Sequence, residues 1–204
     1  MNSYSKPSDL NATVGKESAL SLLHINLQSA RGKKEILHEF LNEFQFNYTA
    51  VMITETWLND HEGFSFSGYH TFHLNRVGRR CGGVCLLVLD SMHCEKEDEI
   101  TASTAHYEIL SVRTGRILFV VVYRPPDGNI DDFFEYMENV FEFAHACGYT
   151  IFVGGDFNIN IDENSPRRTR MLLLLESYFL QNVIKLPTHV TPSSATTLDL
   201  LIVS

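Results

Sequence analysis

The sequence predicts an α/β domain in which two mixed β-sheets face each other and helices cover their outer sides. Apolar runs of strand length alternate with segments whose apolar residues recur at helical spacing. Two of the runs, 107–112 and 116–123, are separated by Thr114 and Gly115 and therefore predict a hairpin. A chain with both helical crossovers and hairpins builds mixed sheets, and two such sheets can bury their apolar faces against each other.

The elements follow in chain order. Residues 1–18 are polar and aperiodic, which predicts a disordered leader before a single domain at 19–204. Apolar runs predict strands at 19–25, 49–53, 69–74, 82–89, 107–112, 116–123, 149–153 and 198–203. Helical periodicity predicts helices at 36–44, 131–146 and 171–180, and the stretch 91–104 is expected to be irregular. Gly154 and Gly155 are expected to end one strand, with Asp156 and Asn158 pointing the same way from extended backbone beyond it.

Composition is consistent with one globular domain, since 44% of the 204 residues are hydrophobic and 20% are charged. Lys and Arg number 16 against 25 Asp and Glu, and this acidic balance argues against holding nucleic acid by bulk charge. Grouped arginines still allow local phosphate contacts. Neither a signal peptide nor a membrane span is indicated, and the 4 cysteines lack paired spacing, so we expect a reduced, intracellular protein.

Polar residues lie at the ends of several predicted buried strands. They are Asn26, Glu55, Tyr123, Asp156 with Asn158, and Asp199, which opens the last strand. For each residue alone, a turn former or a half-buried core side chain is the commoner role. Because strand ends cluster at one rim of a sheet, the set together predicts a site rich in oxygen donors, which suits a hard cation such as Mg²⁺.

Six motifs in this order resemble the endonuclease domain of LINE-type (non-LTR) retrotransposons, which belongs to the endonuclease/exonuclease/phosphatase superfamily. They are HIN at 24–26, TETWL at 54–58, GGVCLLV at 82–88, VVYRPP at 121–126, GGDFNIN at 154–160, and PTHVT with TTLDLLIVS at 187–204. The resemblance implies a DNase I-like four-layer α/β sandwich that nicks DNA with Mg²⁺, or with Mn²⁺ in its place. It also implies DNA as partner, a monomer, a reverse transcriptase domain in the parent polyprotein, and a nuclear location.

The resemblance also implies roles for individual residues. Glu55 and Asn26 match the metal ligands, and Asp156 matches the residue that orients or deprotonates the attacking water. Asn158 matches the residue that binds the scissile phosphate, and Tyr123 the tyrosine near the leaving group. The remaining candidates are Asp199, which matches the Asp that orients a catalytic His, and three substrate contacts, Thr188, Arg124 and Arg31.

The chain departs from the family at its end. The family finishes with a further strand that carries Ser-Asp-His, whereas this sequence stops at Ser204. We therefore expect a truncated domain with its last strand missing, impaired activity and low solubility. Two alternatives stay open, an inactive remnant that acts at most as a binding module and a phosphodiesterase of the same superfamily with a lipid headgroup as substrate.

Overall fold

The computed structural model describes residues 20–43, 47–76 and 81–204, so the expected leader lies outside the described residues. The helices are α1 (Lys34–Asn42), α2 (Ile130–Cys147) and α3 (Pro166–Ser177). The longer strands are β1 (Leu22–Asn26), β2 (Ala50–Thr54), β3 (Tyr69–Leu74), β4 (Val84–Leu89), β7 (Glu108–Thr114), β8 (Ile117–Tyr123), β9 (Thr150–Asp156) and β13 (Asp199–Val203). Two-residue strands are β5 (Glu95–Lys96), β6 (Ala102–Ser103), β10 (Gln181–Asn182), β11 (His189–Val190) and β12 (Ala195–Thr196).

Two mixed sheets form the centre of the domain, as the sequence predicts. The smaller sheet has the order β1-β2-β4-β3, with β1 and β2 parallel and the other pairs antiparallel. The larger sheet has the order β10-β13-β9-β8-β7-β5, with β6 also on β7, and only β8 and β9 pair in parallel. The predicted hairpin is confirmed as β7 and β8, and β3 is confirmed as an edge strand.

Three apolar clusters separate four layers. Between the sheets, Met52 and Leu86 of the smaller sheet lie in one cluster with Phe119 and Val121 of the larger sheet. On the outer side of the smaller sheet, Leu37 of α1 belongs to a second cluster. The third joins the outer side of the larger sheet to α2 and α3 through residues that include Phe133, Met137, Val153, Met171 and Leu175. The expected four-layer sandwich is therefore confirmed.

Local sequence sets the helix ends. Asn129 caps α2 by accepting a hydrogen bond from Asp131 N, and Gly148 ends it in the left-handed conformation with φ 68°. Helix α3 begins at Pro166, after Ser165 accepts from Arg168 N. The predicted start at 171 is therefore wrong, because the arginine-rich first turn carries no apolar periodicity although it is capped. No helix of the described residues is long and apolar enough to cross a membrane.

Gly154 and Gly155 lie inside β9 instead of ending it, which corrects the sequence prediction. A Cβ atom on Gly155 would lie 1.9 Å from Val122 O, and one on Gly154 would lie 2.4 Å from Met52 Sδ. Both positions therefore require glycine. The backbone of β8 passes close to Gly155 within the sheet, and a side chain of the smaller sheet packs directly on Gly154. The strand continues through them and ends on Asp156, at the rim shared by both sheets.

Candidate active site

Asn26 joins acidic groups from the two sheets. It ends β1, and its Nδ2 donates to Glu55 Oε1 at 2.8 Å and to Asp156 Oδ2 at 3.0 Å. Glu55 directly follows β2, whereas Asp156 ends β9 in the opposite sheet and pairs with Asp199 in the β9–β13 ladder. The structure thus brings Asn26, Glu55, Asp156 and Asp199 to one rim, although they are distant in the chain.

Glu55 is held in an unusual backbone conformation. Its φ is 55°, and that of Trp57 is also 55°, so the chain turns sharply on leaving β2. Thr56 N donates to Gly83 O at 3.1 Å and Trp57 N donates to Gly82 O at 2.8 Å. These bonds stabilise two residues in a region that non-glycine side chains rarely adopt, and such conformations concentrate at functional sites.

Trp57 is a site residue to which the sequence analysis gave no role. Its Nε1 donates to Glu55 Oε2 at 3.1 Å, so each Glu55 oxygen accepts one described hydrogen bond. The TETWL motif contained this residue, but only the left-handed turn shows that the indole points back to the carboxylate two positions earlier. Trp57 is also the single tryptophan of the sequence, which makes it a specific spectroscopic reporter for this site.

Asp156 has a raised proton affinity. Burial raises its pKa to about 7, and the nearby carboxylates of Asp199 and Glu55 act in the same direction. Hydrogen bonds from Asn158 N to Oδ1 and from Asn26 Nδ2 to Oδ2 oppose this shift in part. A carboxyl group with a pKa near neutrality can both accept and release a proton under physiological conditions.

Asn158 turns back toward the neighbouring strand end. Its φ is 50°, so the expected extended backbone after Asp156 is not observed. The side-chain Nδ2 donates to Arg124 O at 2.8 Å, and the backbone N donates to Asp156 Oδ1 at 3.0 Å. These bonds fix the amide beside Asp156, and its NH₂ group carries a second N–H that a ligand oxygen can accept.

Tyr123 lies next to Asp156 in the parallel β8–β9 register and is 5% exposed. Burial raises the pKa of its phenol well above the usual range, and the charges of Glu55 and Asp156 raise it further. The guanidinium of Arg76, whose Cζ lies 5.7 Å from the ring centroid, acts in the opposite direction. The phenol therefore stays protonated near neutral pH and can donate a hydrogen bond.

Asp199 faces His24 across the gap between the sheets. Asp199 Oδ1 lies 3.6 Å from His24 Nδ1, and His24 Nε2 lies 3.1 Å from Thr54 Oγ1. Burial lowers the pKa of His24, and Asp199 partly offsets that effect. Thr188 Oγ1 accepts from the backbone N–H groups of Leu198 and Asp199, each at 3.1 Å. A cavity of about 570 Å³ opens here, lined by residues that include His24, Asn26, Thr188 and Asp199.

Two predicted substrate contacts have other partners in the structure. Arg124 is 1% exposed, and its guanidinium donates to four carbonyl oxygens, those of Phe157, Asn158, Pro125 and Gly128. These bonds tie together the loops after β8 and β9, so a surface contact with substrate does not fit this side chain. Arg31 is exposed and forms an ion pair with Glu62, its Nη2 lying 3.0 Å from Oε2. Arg124 is joined to the rim through its backbone, because its N donates to Asp156 O at 2.9 Å, whereas the described partner of the Arg31 guanidinium is Glu62.

The donor set suits a hard cation. Within the described ranges, no group of three or more His, Cys, Asp or Glu side chains is arranged to hold a metal. Mg²⁺, however, usually takes one or two carboxylates and keeps several waters. Glu55 and Asp156 point at one shared donor, the Asn26 amide, which occupies the kind of position a cation takes between two carboxylates. The residues present therefore fit magnesium better than zinc, which favours His and Cys ligands.

Comparisons with solved structures agree on the fold. The chain is similar to the endonuclease domain of TRAS1, a telomere-specific non-LTR retrotransposon, at TM-score 0.65 and 16% identity over 90% of this chain and 83% of that one. It is similar to the AP endonuclease LMAP from Leishmania major at TM-score 0.69 and 13% identity, over 91% of this chain and 79% of that one. It is also similar to a 3′-5′ exonuclease (NExo) from Neisseria meningitidis at TM-score 0.64 and 14% identity, over 91% of this chain and 86% of that one.

The chain therefore shares the fold of these nucleases, the four-layer α/β sandwich that the motifs predict. These similar structures include a retrotransposon endonuclease domain, so the resemblance seen in the sequence is confirmed at the level of the fold. No protein-family model matches the sequence, and the search of curated proteins gave no match.

Proposed function

We propose that this chain is a Mg²⁺-dependent phosphodiester hydrolase that nicks DNA, of the retrotransposon endonuclease type. The observation that carries the proposal is the bridge from Asn26 Nδ2 to Glu55 Oε1 and Asp156 Oδ2. It joins an acidic group from each sheet at the rim where Tyr123 and Asn158 also lie. The nuclease folds of the similar structures support the same reaction class.

Glu55 and Asn26 would hold the metal. A bound Mg²⁺ supplies positive charge that stabilises the charge developing on the phosphate in the transition state. For Asn26 to contribute its oxygen, the amide would rotate so that Oδ1, which now accepts from Gln28 N at 3.2 Å, faces the carboxylates. The Trp57 indole keeps Glu55 Oε2 oriented, as partners of metal-binding carboxylates commonly do.

Asp156 would accept the proton of the attacking water. Its raised pKa makes it a stronger base than an exposed Asp, and it accepts a hydrogen bond from Asn26, one of the two proposed metal ligands. Asn158 would donate its second amide N–H to a phosphate oxygen from a fixed position, so little reorganisation is needed as charge develops. The protonated phenol of Tyr123 would donate to the leaving oxygen.

Asp199 would act on Asp156 and on His24. Its charge raises the pKa of Asp156, and it faces the imidazole of His24. Thr188 fixes the start of β13 and lines the cavity beside Asn26, where a phosphate or sugar group of the substrate would enter. DNA is the proposed partner, held by local contacts because the net charge is -9. A reverse transcriptase in the same polyprotein would extend the 3′-hydroxyl left by the nick.

A plasmid-nicking assay tests the proposal. Purified protein is incubated with supercoiled DNA and Mg²⁺, with Glu55→Gln and Asp156→Asn as site variants and Glu163→Gln, an exposed carboxylate, as matched control. We expect each site variant to lower the nicking rate by about a hundredfold or more, and the control to keep it. Because the proposed reaction leaves a 3′-hydroxyl, a DNA polymerase should extend the nicks without prior repair of their ends. Nicking that persists in both site variants, or activity on lipid headgroups without activity on DNA, would overturn the proposal.

A further inference from the structure

The turn that carries Glu55 is supported from the opposite sheet by Glu108. This side chain is fully buried near the start of β7, and its Oε2 accepts from Gly83 N at 2.6 Å. Gly83 O and Gly82 O in turn accept from Thr56 N and Trp57 N. A continuous path of hydrogen bonds therefore runs from Glu108 in the larger sheet to the left-handed backbone on both sides of Thr56.

Gly82 and Gly83 fit this arrangement only as glycines. Their φ values are 80° and 82°, in the region that residues with a side chain rarely adopt. A Cβ on Gly82 would lie 2.7 Å from Glu108 Oε1, and one on Gly83 would lie 2.5 Å from Thr56 Oγ1. The Glu108 carboxylate can thus approach the turn closely only because positions 82 and 83 are both glycine.

Arg76 balances the charge of Glu108. Its Nε forms an ion pair with Glu108 Oε1, and its guanidinium lies over the ring of Tyr123, the direct partner of Glu108 in the β7–β8 ladder. Burying two charges costs desolvation energy that apolar residues of similar size would not incur. The ion pair is therefore expected to add little to the stability of the fold. It does, however, contact both the turn that carries Glu55 and the ring of Tyr123 in the proposed site.

We propose that Glu108 is a positioning residue of the metal site, which orients Glu55 by fixing Gly83, with Arg76 as its counter-ion. The inference rests on the proposed function, because Glu55 is there the metal ligand. The Glu108 carboxylate holds Gly83, and the Gly82–Gly83 carbonyls hold Thr56 and Trp57. Glu55 lies between β2 and these anchored residues, so its carboxylate is aimed at Asn26.

Two double variants separate the Gly83 contact from the buried charge. Arg76→Met with Glu108→Gln removes both charges but keeps an oxygen that can accept from Gly83 N. Arg76→Met with Glu108→Leu removes the charges and that acceptor together. Val140→Ala, a cavity in the core cluster between α2 and the larger sheet, serves as a control for loss of stability without a change at the site.

Two readouts are measured on the whole chain at a temperature where each variant is folded. Trp57 emission in metal-free protein reports the geometry of the turn, and calorimetric titration with Mg²⁺ reports the metal site. We expect the Gln double variant to match wild type in emission and to bind Mg²⁺ within about threefold of it. The Leu double variant should show altered emission and about tenfold to hundredfold weaker Mg²⁺ binding, whereas Val140→Ala should show neither change.

Wild-type emission and Mg²⁺ affinity in the Leu double variant would overturn the inference, as would equal losses in the Gln and Leu variants. Failure of the proposed function has a different signature. In that case wild type and Glu55→Gln would give the same Mg²⁺ titration, while the Trp57 emission of the double variants would still report whether Glu108 fixes the turn.

Discussion

Asp156 and Asp199 are direct partners in the antiparallel ladder between β9 and β13. Two carboxylates therefore stand next to each other at the rim, with Glu55 close to Asp156 through Asn26. Negative charges this close disfavour simultaneous ionisation, which adds to the effect of burial on Asp156. The metal-free site consequently binds protons at a pH where an isolated aspartate would be ionised.

The stability of the metal-free protein should depend on the protonation of Asp156. Its pKa is about 7 in the folded state and near 3.8 in the unfolded chain, so the folded state binds the proton more tightly. This stabilisation is complete below about pH 4 and is lost as the pH rises through about 7, a change on the order of 4 kcal/mol. Denaturant unfolding of wild type and Asp156→Asn over this range measures it as the difference between the two proteins. A difference that stays constant with pH would contradict the raised pKa.

Trp57 fluorescence should respond to Mg²⁺ or Mn²⁺ because its indole donates to Glu55 Oε2. Metal binding changes the charge that this carboxylate presents to the indole, so we expect a saturable change in emission. The change should disappear in Glu55→Gln and remain in Glu163→Gln. Trp57→Phe removes the donor and should weaken metal binding about tenfold, measured by calorimetry. A signal that survives in Glu55→Gln would place the metal elsewhere.

Gly155→Ala should be among the most destabilising single substitutions in the chain. The added Cβ would meet Val122 O at 1.9 Å, and β9 cannot shift away easily because it is paired with β8 on one side and with β13 on the other. We expect a loss of about 4 kcal/mol or more in the free energy of unfolding. Gly115→Ala is the matched control, because a Cβ there meets no heavy atom within 4 Å. Its left-handed φ of 55° should cost only about 1–2 kcal/mol. Similar losses for the two variants would contradict the close approach.

Arg124 and Arg31 should differ in what they contribute. Arg124→Met removes buried hydrogen bonds to Phe157, Asn158, Pro125 and Gly128 and leaves their carbonyl groups short of donors. We expect a loss of about 3 kcal/mol or more in unfolding free energy. Arg31→Ala removes an exposed ion pair and should change stability by less than about 1 kcal/mol. Chemical denaturation compares them, and a marginal effect of Arg124→Met would show that the bonds are dispensable.

Much of the fold was predictable because its signals are local. The run Ile117–Tyr123 is apolar over strand length, and the turn before it fixes the hairpin with β7. The motif residues were also predictable as a group, since Asn26, Glu55 and Asp156 lie at or next to strand ends. Their convergence on one hydrogen-bonded bridge follows from the pairing of β1 with β2 and the stacking of the sheets.

The rest depends on neighbours that are distant in the chain. Gly155 looks like a turn residue in the sequence, and only the carbonyl of Val122 explains why it lies inside a strand. Arg124 looks like a surface cation in YRPP, whereas two of the four carbonyl groups that it binds, those of Phe157 and Asn158, come from the loop after β9. Glu108 resembles any acidic residue at the start of a strand, and its role appears only when Gly83 is packed against it.

The acidic rim takes Asn26 and Glu55 from one layer and Asp156 and Asp199 from the other. A small lateral slip of one layer over its neighbour would part these groups long before any strand or helix melted. Catalytic activity should therefore be lost under mild denaturation or pressure while the circular dichroism of the strands and helices is still native. Activity at the rim therefore reports how accurately the two sheets are aligned.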